Sequence, residues 1–115
     1  MSQKSARIAS WEKEYRRLCH KLSALGYISQ GTILDRSALR RPRSGYQWTR
    51  KVAGKTVSVS LSEEQFQWLK KAIANRRKLD KILLQMERIS RRILLETVPD
   101  TSRRKPLSRK VLDTI

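Results

Sequence analysis

The chain has 115 residues, and its 27 Lys and Arg stand against 10 Asp and Glu, a formal net charge of +17. Self-repulsion on that scale opposes a compact monomer unless a polyanion or partner offsets it, so the excess points to the ligand. No run of about 18 apolar residues is present to span a bilayer, and Cys19 is the only cysteine, which excludes an internal disulfide and a cysteine-rich zinc site.

The length allows one domain, and 38% hydrophobic content is low for a chain that buries its own core, so oligomerisation or complex formation is expected. The basic N-terminus is interrupted by Glu12 and Glu14, unlike a mitochondrial presequence, so Met1 is expected to be the mature start and the protein cytoplasmic.

Ile8, Trp11, Tyr15, Leu18, Leu22 and Leu25 recur at spacings of three and four, one apolar stripe of an N-terminal helix within residues 1–26. Gly26 is expected to stop it. Glu12 with Arg16 and Glu14 with Arg17 are spaced to pair along its surface. Residues 28–34 are apolar enough for either a strand or an ordered connection.

Between residues 36 and 62 the basic residues Arg36, Arg40, Arg41, Arg43, Arg50, Lys51 and Lys55 meet no acidic residue. The stretch 36–45 also carries Pro42 and two serines and is expected to be a flexible basic arm. Residues 46–52 and 55–61 are rich in strand formers and flank Ala53-Gly54, the pattern of a hairpin. A two-residue turn pairs Trp48 with Val59, Tyr46 with Leu61 and Arg50 with Val57. Alternation then collects Tyr46, Trp48, Val52, Val57, Val59 and Leu61 on a packing face, and Gln47, Thr49, Lys51, Thr56, Ser58 and Ser60 on the other. That second face is either the ordinary wet side of a small sheet or a contact for phosphates and base edges.

Ser62-Glu63-Glu64-Gln65 has the spacing of a capping box and opens a helix running to about Leu95. Phe66, Leu69 and Ile73 share one side of it, whereas Leu79, Ile82, Met86, Ile89 and Ile93 share another. The two halves therefore pack on different neighbours, or the helix breaks near Asn75. The first half is expected under the hairpin and the second against the N-terminal helix or another subunit. Arg76 with Asp80 and Glu87 with Arg91 are spaced to pair. Lys70, Arg77, Lys81, Arg88 and Arg92 fall on a further face, where they either track a phosphate backbone or are simply solvated; Leu84 interrupts the row.

From residue 97 the chain turns polar, with Pro99, Pro106 and Arg103-Arg104-Lys105, and is expected to be a basic tail, flexible or ordered by a partner. Ser108 is spaced to cap a short turn bearing Leu107, Val111, Leu112 and Ile115, a candidate docking peptide. Cys19 and His20 project about 100° apart on a helix and make no nucleophile and base pair. The carboxylates are scattered and no phosphate-cradling glycine loop is present, so neither an enzyme nor a metal or cofactor site is expected.

The stretch from Gly45-Tyr46-Gln47-Trp48-Thr49-Arg50-Lys51-Val52 through Ala53-Gly54-Lys55-Thr56 to the capped helix at Ser62-Glu63-Glu64-Gln65 resembles a family of small bacterial proteins. In that family a Gly-aromatic strand, a Gly-Lys-Thr turn and a capped basic helix recur, often beside transposases and other mobile-element genes. The resemblance covers roughly residues 28–95. Many members carry a cysteine cluster before the first strand, where this chain has Arg40-Arg41-Pro42-Arg43, which sets any metal-supported role aside. The hairpin is also similar to the arm-binding sheet of tyrosine recombinases, without their catalytic machinery. Both likenesses imply DNA rather than RNA.

The expected fold is thus α+β: an N-terminal helix (1–26), a basic hairpin or small antiparallel sheet with a long helix (27–96), and a tail (97–115). The expected function is a nucleic-acid-binding accessory subunit, DNA-binding in a mobile-element or recombination system, with a protein partner or second copy. The alternatives are an RNA-binding subunit of a ribonucleoprotein and a helical interaction scaffold.

Overall fold

The computed structural model describes residues 2–98 and 107–114, and it is α+β. Helix α1 spans Gln3–Ser23, strand β1 Thr32–Asp35, strands β2 and β3 Tyr46–Val52 and Lys55–Leu61, helix α2 Glu63–Thr97 and helix α3 Arg109–Thr114. The chain divides into two compact units: one combines α1 with the part of α2 from Lys81 onward, and the other is Leu25–Asp80.

In the first unit α1 begins on Ser2, whose side chain accepts from the Ser5 backbone N–H. It ends at Ala24, which keeps a right-handed conformation, so the helix closes before Gly26 rather than on a left-handed glycine. Gly26 instead sits against the Asn75 side chain, where an added Cβ would lie 3.3 Å from Nδ2. The predicted stripe is the packed one, with Leu18 fully buried and Ile8, Trp11, Tyr15 and Leu22 half-buried. Across from it Ile82 and Ile89 are buried and Met86 and Ile93 half-buried. Arg7 pairs with Glu96 at 3.3 Å, and Tyr15 lines a cleft with Met86 and Ser90, so the two helices run antiparallel. Burying each Leu or Ile here contributes about 1.5–3 kcal/mol. Of the two neighbours expected for the second stripe, the N-terminal helix or another subunit, the N-terminal helix is the one that shares its unit. Glu14 pairs with Arg17, and Glu87 with Arg91, as their spacing predicts; Glu12 and Arg16 face one cleft without pairing.

In the second unit the three strands form an antiparallel sheet in the order β1-β2-β3. The hairpin register is the predicted one, Tyr46 opposite Leu61 through Val52 opposite Lys55. Ala53 and Gly54 both have positive φ, 50° and 79°, as a two-residue hairpin turn of the right twist requires. Strand β1 adds Ile33 opposite Trp48 and Asp35 opposite Tyr46.

One sheet face packs on α2 through Tyr46, whose ring meets Phe66 at 4.5 Å between centroids. Trp48 donates its indole N–H to the Gln30 carbonyl at 3.0 Å. Its ring occupies the space beside Gly31, where a Cβ would fall 2.2 Å from Nε1, and Gly31 has φ of 112° besides. The capping box forms in both directions: Gln65 N–H donates to Ser62 Oγ at 3.1 Å and Ser62 N–H to Gln65 Oε1 at 2.9 Å. Ala72 and Ile73 are the buried side chains of this half of α2.

The segment after α1 is fixed to α2 by polar contacts: Asn75 Nδ2 donates to the Tyr27 carbonyl at 3.0 Å and Ser29 N–H to the Ala72 carbonyl at 3.1 Å. Tyr27 and Trp68 meet at 5.3 Å with a tilt of 35°. Helix α2 is unbroken at Asn75, so of the two outcomes expected for its shifting stripe, the change of neighbour is the one realised. Ser108 caps α3, accepting from Val111 N–H at 3.3 Å. Pro99, Arg103, Arg104, Lys105, Pro106 and Ile115, on which the expectations for the tail rest, lie outside the described residues.

Candidate nucleic-acid interface

The stretch 36–45 is a closed loop, not the free arm its composition suggests. Arg36–Ala38 form a single 3-10 turn, begun by Asp35, whose carboxylate accepts from Ser37 N–H at 2.9 Å and Ser37 Oγ at 2.7 Å. The Ser37 hydroxyl and then its backbone N–H hold the Asp35 carboxyl below its ordinary pKa. Arg36 is the hub of the loop: its N–H donates to the Gly45 carbonyl at 3.0 Å, and its carbonyl accepts from Leu39 and Arg43.

The Arg36 guanidinium is committed as well. It donates to Ser60 Oγ at 2.9 Å and reaches Gln47 Oε1 at 3.5 Å. Of the four arginines in this loop, Arg36 is thus half-buried and bonded to the sheet, whereas Arg40, Arg41 and Arg43 are exposed.

Strand register sorts the remaining candidates, because residues directly opposite share a face. On the face turned from Tyr46 and Phe66, Thr32, Thr49 and Ser58 form one row across all three strands, Leu34, Gln47 and Ser60 the next, and Lys51 with Thr56 the last. Not one of these positions is a carboxylate. Thr32 belongs to this surface and was missed from sequence, since only its pairing with Thr49 brings it there.

Arg50 lies opposite Val57, as the two-residue turn predicts, and Lys55 opposite Val52, so both stand on the same face as Trp48 and apart from the row of Thr49 and Lys51. They remain exposed there. The packing face itself is covered only at its base. Tyr46, Trp48 and Leu61 are half-buried, but Val52, Val57 and Val59 are 48%, 40% and 44% exposed. Burial pushes the Tyr46 phenol pKa up, with the charges of Glu63 and Asp35 adding to it.

On α2, Lys70 and Arg77 are exposed in the unit with the sheet, and Lys81 and Arg88 in the unit with α1; Arg92 is half-buried. Arg76 is paired with Asp80 at 3.0 Å. Among the described residues no group of His, Cys, Asp and Glu gathers to hold a metal ion, and no helix is long and apolar enough to cross a membrane. Comparison with protein-family models, curated proteins and solved structures gave no match.

Proposed function

We propose that the chain is a nucleic-acid-binding accessory subunit that sets the polar face of its sheet against duplex DNA. The observation that carries this reading is the composition of that face: Thr32, Gln47, Thr49, Lys51, Thr56, Ser58 and Ser60 lie in adjoining rows without a carboxylate. Hydroxyl, amide and ammonium groups are the donors that phosphate oxygens and base edges accept from. The exposed Arg40, Arg41 and Arg43 supply positive charge from the adjoining loop.

Duplex geometry favours DNA over RNA for such a ribbon. The B-form major groove, about 12 Å wide, admits a two-stranded ribbon, whereas the A-form major groove is too deep and narrow for side chains to read. A role in transposition or recombination rests on the resemblance of the hairpin and capped helix alone.

The test is a mobility-shift series with duplex DNA, single-stranded DNA and duplex RNA over rising salt. Release of counterions makes the logarithm of affinity fall by about 0.9 per phosphate contact for each tenfold rise in salt. The expected result is tightest binding to duplex DNA with a steep salt slope. Affinity that is flat in salt overturns the electrostatic reading. Preference for duplex RNA moves the protein to a ribonucleoprotein, and binding to none of the three leaves the interaction scaffold.

A further inference from the structure

Tyr27 and Trp68 are the most exposed aromatic residues among those described, at 76% and 51%, and they lie in contact with each other. Neither is forced outward by a shortage of apolar cover, for the same stretch of α2 buries Ala72 and Ile73. The site is also held in place. The Tyr27 carbonyl is fixed by Asn75 and the next turn of chain by the Ser29 to Ala72 bond. A cleft beside the pair is lined by Gly26, Tyr27, Trp68, Lys71, Ala72 and Asn75. Lys71 is exposed, and it stands one helical turn from Trp68.

We propose that Tyr27, Trp68 and Lys71 form a stacking site for an unpaired nucleotide, the base on the aromatic pair and its phosphate on the Lys71 ammonium. An aromatic face serves any base, since every base has a π-face, and a neighbouring cation supplies the backbone contact. The net charge of +17 makes a polyanion the complementary occupant. Glu64 lines the cleft on the other side of Trp68, so the strand's phosphates run on the Lys71 side. The site deepens the nucleic-acid reading and rests on it, but it lies apart from the sheet's polar face, which is turned from α2.

The test uses the full chain and four probes: oligo(dT), oligo(U), an abasic phosphodiester of the same length, and a blunt DNA duplex. The expected result is that Trp68→Ala weakens oligo(dT) and oligo(U) binding about tenfold, as loss of one stacked base does, while abasic and blunt-duplex affinities stay the same. Trp68→Phe keeps most of the affinity, and oligo(dT) quenches indole emission in the natural protein but much less in Trp68→Phe. Lys71→Gln weakens abasic and base-bearing strands alike. A larger loss with oligo(dT) than with oligo(U), or the reverse, assigns the strand as DNA or RNA. Equal losses of all four probes in a folded Trp68→Ala protein overturn the stacking site. So does unchanged oligo(dT) affinity; if blunt duplex still binds, the sheet reading stands without it. Failure of every probe to bind the natural protein removes both.

Discussion

Arg36 donates to Ser60 across a separation of 24 residues, at 2.9 Å, and so joins the residue after β1 to the far strand of the sheet. An arginine on a basic loop is ordinarily solvated or free to meet a ligand; this half-buried one closes its own loop. Arg36→Ala is therefore expected to lower stability by about 1–2 kcal/mol, the cost of removing hydrogen bonds to a charged donor. Arg40→Ala, exposed and unbonded, should stay within about 0.5 kcal/mol. Chemical denaturation separates them, and equal midpoints for the two variants would mean that Arg36 is not a clip.

Gly31 carries a second structural constraint. Its φ of 112° and the Trp48 ring beside it leave no room for a side chain. Gly31→Ala is expected to cost more than about 2 kcal/mol, because backbone strain adds to the displaced indole. Gly54→Ala, with φ of 79° but open space around it, should cost only the strain. Trp48 emission should shift to the red in the first variant and stay put in the second.

The two basic surfaces are distinguished by matched charge loss. Changing Arg40, Arg41, Arg43 and Lys51 to Gln together should weaken duplex DNA binding more than changing Lys70, Arg77, Lys81 and Arg88 to Gln. Both sets remove four exposed cations, so the general field falls equally. Affinities are compared at one salt concentration, with circular dichroism showing both proteins folded. A greater loss in the helix variant makes α2 the binding surface.

Two carboxylates give the protein an acid-side signature. The Glu14 carboxyl is held low mainly by the hydrogen bond from Arg17, and the Asp35 carboxyl by those from Ser37. With folded values below the unfolded ones, the native state binds fewer protons in that interval. The stability these groups contribute is complete above their unfolded values, around pH 4, and is lost as pH falls through the lower folded values. NMR titration should place both carboxyls below their ordinary values, and Asp35→Asn should flatten the acid limb of the stability curve.

Ile82 and Ile89 are buried against α1, so a charge at either position is expected to unfold their unit rather than dissociate an oligomer. Ile89→Asp should cost about 3 kcal/mol or more, from lost burial and an uncompensated charge. Light scattering with denaturation tells the cases apart. A folded protein of halved mass would show that Ile89 holds a dimer together.

Local features were legible in the sequence because their determinants lie within a few residues. Ser62 and Gln65 meet across one turn of helix, and the Ala53-Gly54 turn fixes the whole β2 and β3 register. The change of stripe along α2 announced two neighbours and named α1 or another subunit as the second; α1 is the one that shares its unit. What escaped depends on distant partners. Thr32 joins the polar face only by pairing with Thr49, and the four-residue β1 has too little pattern to announce itself. The loop after it resembles a free arm until Gly45 and Ser60 are brought to Arg36.

Ala53 takes a left-handed conformation that glycine or asparagine adopts more readily, at a cost of roughly 1 kcal/mol. The hairpin end, with Arg50, Lys51 and Lys55 around it, lies beyond β1, which pairs with β2 only from Tyr46 to Thr49, so its outermost ladder amides should exchange with deuterium first. Complex formation that quiets this fraying carries an entropic penalty, visible in calorimetry as binding enthalpy partly cancelled. Replacing Ala53 by Asn settles the tip in advance, so the altered protein should bind with a smaller entropic loss and a slower off-rate.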